Sequence, residues 1–258
     1  SRLIGVKGGD GTLANLAKDL VPTEHNTHLL SLGGGRQNVL QTEIIKSRDP
    51  LLIGTESLSQ GSPVQIDLGM ITADSKQYFF LGNAGMGIDA YTLDEWEQSG
   101  KGSRMELFPI FWKNRNSFPT YDVTIKDKLE GIDKEHKDVI QMVFVNAGRY
   151  AGVFPITNSD MTDGVLEGIV LPASLKETKK FVRWIPNALL PGKKINGADY
   201  LNVQNTDIRE SNNEEILFQH DGEPQRTGVS EINVSALQRA ITLWVPDTSK
   251  AYAFRGTA

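Results

Sequence analysis

Cysteine is absent from all 258 residues. Disulfides, zinc–thiolate centres and a cysteine nucleophile are therefore excluded together. The composition suits a reducing cytoplasm without demanding one. No run of about 18 apolar residues occurs, so no transmembrane helix is expected. The opening "SRLIGVKGGD" has no charged-then-apolar signal pattern. The serine-hydrolase elbow GxSxG, the dinucleotide fingerprint GxGxxG and the Walker A pattern are all missing. Internal repeats and low-complexity tracts are missing too. A net charge of −5 argues against broad nucleic-acid binding. The four histidines carry little: His25 and His28 share a polar loop without a third ligand, and His220 merely adjoins Asp221.

What remains is a soluble, globular composition, 39% hydrophobic and 23% charged. "RLIGV" reads as a short buried strand. Leu13, Leu16, Ala17 and Leu20 then recur at helical spacing until Pro22 stops them, which predicts a helix from about Leu13. "HLLSLGGG" repeats the strand-then-glycine pattern, and "VLQTEII" would make a further helix. Such alternation predicts a parallel α/β layer. From about Ser62 the period changes to two, with Val64, Ile66, Leu68 and Met70 on one face of a strand. "YFFLGNAG", "TYDVTIK", "VIQMVFVNAG", "VLEGIVLP", "DYLNVQN", "EILFQHDG", "SEINVSA" and "AITLWVP" extend a long antiparallel series. The strong helical pattern inside it is "SLKETKKFVRWIPNALL". The expected fold is thus α/β plus all-β: an α/β nucleotide-binding domain over residues 1–63, a β-sandwich over 64–246, and a tail at 247–258 that could return to the first domain.

Four stretches could carry chemistry. In "KGGDGTL", Gly8, Gly9 and Gly11 allow backbone N–H groups to approach an anion, and the following helix would add its positive end. Asp10 would repel bare phosphate and makes sense through a magnesium ion or a ribose or water contact. An Asp-Gly hairpin turn explains the same residues, and local features leave both readings open. "LGGGRQNVL" repeats the setting, with Gly33–Gly35, Arg36 and Asn38 available to nucleotide phosphates. In "FQHDGEPQ", Asp221 and Glu223 flank a glycine, so one could take a proton while the other helps to hold a metal. Read alone, that is an ordinary solvated hairpin turn. "SDMTDGVLEG" adds Asp160 and Asp163, without the spacing of a calcium loop.

Taken in order, these stretches resemble the diacylglycerol kinase catalytic family, which includes bacterial lipid kinases and sphingosine kinases. "GGDGTL" is similar to its nucleotide loop and "LGGGRQN" to its second, GTGN-type loop. "IDLGMI" with "YFFLGNAGMGIDA" resembles the passage into its second domain. "FVNAGRYAGVFPITNSDMTDGVLEGIVL" resembles its central signature, and "HDGEP" its late acidic motif. The resemblance implies an NAD-kinase-like nucleotide domain, here lacking its N-terminal part because only seven residues precede Gly8, and a β-sandwich with the active site between them. It implies ATP and magnesium held by Gly8, Gly9, Asp10, Gly11 and Thr12, with Gly34, Gly35 and Asn38 on the second loop. Asp221 would be the base that deprotonates the lipid hydroxyl, and Glu223 would support the metal alongside Asp10. Asp163 would anchor a structural magnesium, while Asn83 and Asp89 would line the cleft.

The implied function is an ATP-dependent lipid kinase acting on diacylglycerol or a related lipid. It would be cytoplasmic and peripheral at the inner membrane face, with an exposed sheet edge allowing a homodimer. Two departures favour an alternative, a catalytically weak lipid- or nucleotide-binding relative. Asn15 stands where the family often has glutamate, and Val39 replaces the acid that commonly follows the second-loop asparagine. An NAD kinase shares the GGDGT loop, but "HDGEP" and the central signature speak against it. Contact with a bilayer would fall to "LFPIFWKNRNSF" and "KKFVRWIPNALLPGKK", which mix aromatic and basic residues.

Overall fold

The computed structural model describes residues 2–21, 27–34, 50–100, 102–115, 117–129, 131, 133–147, 149–150, 154–155, 159–173 and 195–246. "VLQTEII", "KKFVRWIPNALLPGKK", Gly35, Asn38 and the tail 247–258 lie outside them.

The chain opens with parallel strands β1 (Arg2–Gly8) and β2 (Thr27–Gly34), connected through helix α1 (Asp10–Leu20). The helix starts three residues earlier than apolar spacing predicts: Asp10, Gly11 and Thr12 form its first turn, and Gly9 is its N-cap. Periodicity reports only where side chains become buried, here Leu13, Ala14 and Ala17. Helix α2 (Pro50–Gln60) leads into β3 (Gly61–Ala73), whose alternation places Val64, Ile66 and Leu68 in the core. "YFFLGNAG" divides into β4 (Lys76–Phe80) and β5 (Asn83–Gly87) at a bend, and helices α3 (Ile88–Gln98) and α4 (Leu107–Asn114) follow.

The remaining strands are β6 (Tyr121–Asp127), β7 (Asp133–Val145), β8 (Arg149–Tyr150), β9 (Phe154–Pro155), β10 (Leu166–Pro172), β11 (Asp199–Val203), β12 (Asn205–Glu210), β13 (Phe218–His220), β14 (Glu223–Gln225) and β15 (Glu231–Pro246). Pairing joins 13 strands into one branched sheet, with β8 and β9 apart as a small ribbon.

Two long strands hold this mixed α/β architecture together. β7 pairs with β6 through its first half and with β5 through its second. "SEINVSA" and "AITLWVP" are not two strands but one, β15. Its first half pairs with β12 and its second runs parallel to β2, while β3 follows it along both halves. The register slips between Leu237 and Ile241, where Arg239 takes a φ of 50°. This bulge re-aims the strand without ending it. A cluster containing Val6, Leu13, Ala17, Leu29 and Leu243 packs the parallel part. Another, containing Phe80, Phe144, Phe218 and Ile208, fills the antiparallel part. Phe79 and Leu81 pack with the first cluster, so the β4–β5 bend lies against α1.

Candidate active site

Gly8 and Gly34 are register partners at the C-terminal ends of β1 and β2. That end of parallel strands is where α/β sheets present ligand-binding loops. A Cβ on Gly34 would lie 3.5 Å from the Gly8 nitrogen, and Gly34 has a φ of 126°, so the two glycine segments touch. Gly8 also faces the Thr12 side chain, whose Cβ would lie 2.6 Å from a Gly8 methyl. The head of α1 has no side-chain cap, so its positive end is left to the cleft.

Asp221 and Glu223 reach the same point from more than 200 residues away. A Cβ on Gly11 would meet Glu223 Oε1 at 3.5 Å and Asp221 Cβ at 4.0 Å. Asp221 and Gly222 have φ of 46° and 86° and join β13 to β14, with His220 paired to Glu223. The two-residue Asp-Gly hairpin turn is therefore real. Its carboxylate, however, points inward. Oδ2 accepts the Leu81 N–H at 2.8 Å, and Oδ1 accepts those of Gly82 and Asn83 at 2.9 and 3.1 Å. The Asp221 N–H in turn reaches the Asn83 carbonyl at 2.9 Å.

Burial pushes the Asp221 carboxyl up to about 7, and the like charge of Asp10 pushes the same way, against three N–H bonds that favour the ionised form. A carboxylic acid near neutrality is tuned for general-base work. The shift also fixes a pH dependence of stability. Because the folded value lies above the unfolded one of about 3.9, this group's contribution is complete below that value and is lost as pH rises through about 7. Thermal melts from about pH 5 to 7 should therefore show a falling midpoint that flattens in Asp221→Asn. An unchanged slope in that variant would refute the coupling.

The carboxylates offer magnesium a fitting place: Asp10 and Asp221 repel each other across the head of α1, with Glu223 beside them. Among the described residues no three His, Asp or Glu side chains form a ready metal cage. Magnesium needs none, since it binds through one or two carboxylates plus phosphate oxygens and water.

Asp163, the residue implied as a structural magnesium anchor, lies in the turn before β10. It accepts the Val165 N–H at 2.9 Å, and both burial and Asp160 push its carboxyl upward. The residue that pattern reading missed is Asp67 on β3. Fully buried, it accepts the Gly164 N–H at 2.6 Å and the Arg239 N–H at 2.7 Å. It ties the Asp163 turn and the β15 bulge to one strand. Burial raises its carboxyl above the usual range, and Asp163 and Asp160 add to that. An acid inside the apolar "QIDLGM" was the only signal. Asn83 is buried, and Asp89 opens α3.

No family model matches the chain, and no curated protein matches it either. Its fold is shared with solved structures. A diacylglycerol kinase from Bacillus anthracis superposes with a TM-score of 0.72 at 20% identity, covering 95% of this chain and 78% of that one. Two further structures from that organism, described provisionally as diacylglycerol kinases, give TM-scores of 0.71 and 0.69 at 19% and 20% identity. They cover 95% and 96% of this chain and 78% and 79% of their own. The resemblance carried by the motifs is thus borne out as a common fold.

Proposed function

We propose that the protein is an ATP- and magnesium-dependent lipid kinase that phosphorylates a hydroxyl of diacylglycerol or a related lipid. The observation that carries this reading is the meeting of Gly11 with Asp221 and Glu223, which puts a glycine-rich helix head opposite a carboxyl group that burial raises toward neutrality. The two core clusters support reading the chain as a nucleotide lobe and a β lobe with the site where they meet. Gly8, Gly9, Gly11 and Thr12 would receive the phosphates, and Gly34 would close the cradle. Asp10 and Glu223 would hold magnesium, which would supply charge neutralisation at the transferring group. Asp221 would orient the lipid hydroxyl and take its proton while the N–H groups of Leu81, Gly82 and Asn83 hold it still. Phosphoryl transfer asks mainly for such positioning and electrostatics.

A lipid substrate requires a surface that meets the bilayer, and α4 supports that role. None of its residues is buried; Phe108 is 65% and Trp112 44% exposed, with Met105 just before it at 83%. The Arg115 guanidinium lies 4.6 Å over the Trp112 ring, and Lys113 stands between them in sequence. Aromatic rings with neighbouring cations suit an anionic interface. Among the described residues no helix is long and apolar enough to cross a membrane. Replacing Phe108 and Trp112 together by serine should weaken binding to anionic vesicles roughly tenfold or more. Sedimentation of the protein with vesicles measures this, and undiminished binding would remove α4 from the contact.

The function itself is tested by transfer of labelled phosphate from ATP–magnesium to a panel of vesicle-borne lipids, with NAD as a parallel acceptor. Label on a lipid is the expected result. Label on NAD, or on nothing while a folded protein still binds ATP, would overturn the reading.

A further inference from the structure

Beside the Asp221 turn lies a buried amide that a hairpin does not require. Gln219, on β13, is 2% exposed. Backbone pairing already joins β13 to β14 and to β5, so the side chain is free for other work. Its Oε1 accepts the Gly222 N–H at 2.8 Å. Its Nε2 donates to Asn83 Oδ1 at 3.1 Å and to Asp89 Oδ2 at 3.0 Å. The orientation of this amide is dictated chemically. An ionised carboxylate only accepts, so the NH2 must face Asp89 and the oxygen must face Gly222.

Asp89 is itself fixed. Its Oδ1 accepts from Gln141 Nε2 at 2.7 Å and from the Ala90 N–H at 2.7 Å, while its own N–H donates to Gln141 Oε1 at 3.1 Å. Gln219 therefore connects an anchored helix head to two residues around Asp221. One is Gly222, its neighbour in the turn. The other is Asn83, whose backbone exchanges hydrogen bonds with Asp221 in both directions.

We infer that Gln219 is a positioning residue: it locks the Asp221–Gly222 turn against the head of α3 and so fixes the position of the Asp221 carboxylate beside the head of α1. The kinetic part of this inference rests on the proposed role of Asp221 as base; the structural part does not. Removing the amide would take the acceptor from the Gly222 N–H and one donor each from Asp89 and Asn83, in a buried setting where unmade bonds are expensive.

The test uses the full chain, with backbone-amide NMR and phosphate transfer read side by side. In Gln219→Met the Gly222 amide should shift and exchange roughly tenfold faster or more, while amides of the distant β10–β11 pair stay protected. The paired change Asp89→Asn with Gln219→Glu reverses donor and acceptor between these two positions while keeping the shape, and the Asn83 side-chain amide turns over so that its NH2 meets the new carboxylate. It should return the Gly222 amide to its original protection. In the transfer assay Gln219→Met should lower kcat roughly tenfold or more, with the KM for ATP within about twofold. An unmoved Gly222 amide, equal loss of protection across the protein, or a folded paired variant that fails to restore it would overturn the inference. So would a displaced Gly222 amide with kcat unchanged. A wild-type protein that moves no phosphate, with the Gly222 signature behaving as expected, would refute the proposed function and leave the bracing role standing.

Discussion

Asp221→Asn should leave a folded protein whose phosphate transfer is slower by about 10³-fold, the range set by loss of a general base. The substitution is close to isosteric, so the proposed nucleotide cradle around Gly8–Thr12 keeps its shape and ATP binding should survive. What changes is the group proposed to face the acceptor hydroxyl. The amide cannot take a proton at neutral pH, and its NH2 also confronts an N–H donor where the carboxylate accepted three. That mismatch costs about 1–3 kcal/mol of stability. It is offset in part, because the neutral side chain no longer repels Asp10. Steady-state kinetics beside a thermal melt separates the two effects. A loss smaller than about tenfold would mean that Asp221 is not the base.

Gly87→Ala is expected to destabilise the fold by about 3 kcal/mol or more, among the largest effects a single methyl can produce. Gly87 ends β5 and caps α3 with a φ of 108° and ψ of −134°, outside the conformations an alanine adopts at low cost. A Cβ there would run into the Ile140 carbonyl of β7, which is backbone held by strand pairing and cannot step aside. The consequence reaches the site, because this junction starts the helix turn that carries Asp89. Denaturant unfolding should show the loss directly, with a melting temperature lower by on the order of 10 °C. A loss below about 1 kcal/mol would mean that the β5–α3 junction can open without disturbing the sheet.

The sequence was most informative where chemistry is concentrated in a few adjacent residues. Glycines next to acids gave the Gly8–Thr12 loop and the Asp221–Glu223 turn, and alternation gave β3 and most of the antiparallel strands. Both simple readings of the Asp-Gly pairs needed revision by tertiary contacts. At Asp10–Gly11 the pair is the start of a helix, not a turn. At Asp221–Gly222 it is a hairpin turn whose acid is folded inward, because N–H donors from residues 81–83 await it. Nothing within a local window announces those donors. The same holds for Asp67, whose partners lie 97 and 172 residues away, and for Gln219, whose partner Asn83 is 136 residues distant. Helix α3 escaped because only Ala90, Thr92 and Trp96 are buried along it. Strand β15 was divided in two because a bulge at Arg239 interrupts alternation exactly as a turn would.

The central claim, that the glycine loop and the Asp221 turn face one phosphoryl group, is tested most directly by adding manganese–ATP and following backbone amides. A paramagnetic ion broadens signals close to it without requiring turnover. The strongest broadening should fall together on Gly9–Leu13 and on Gly222–Glu223. Broadening confined to one of these segments, or centred elsewhere, would contradict it.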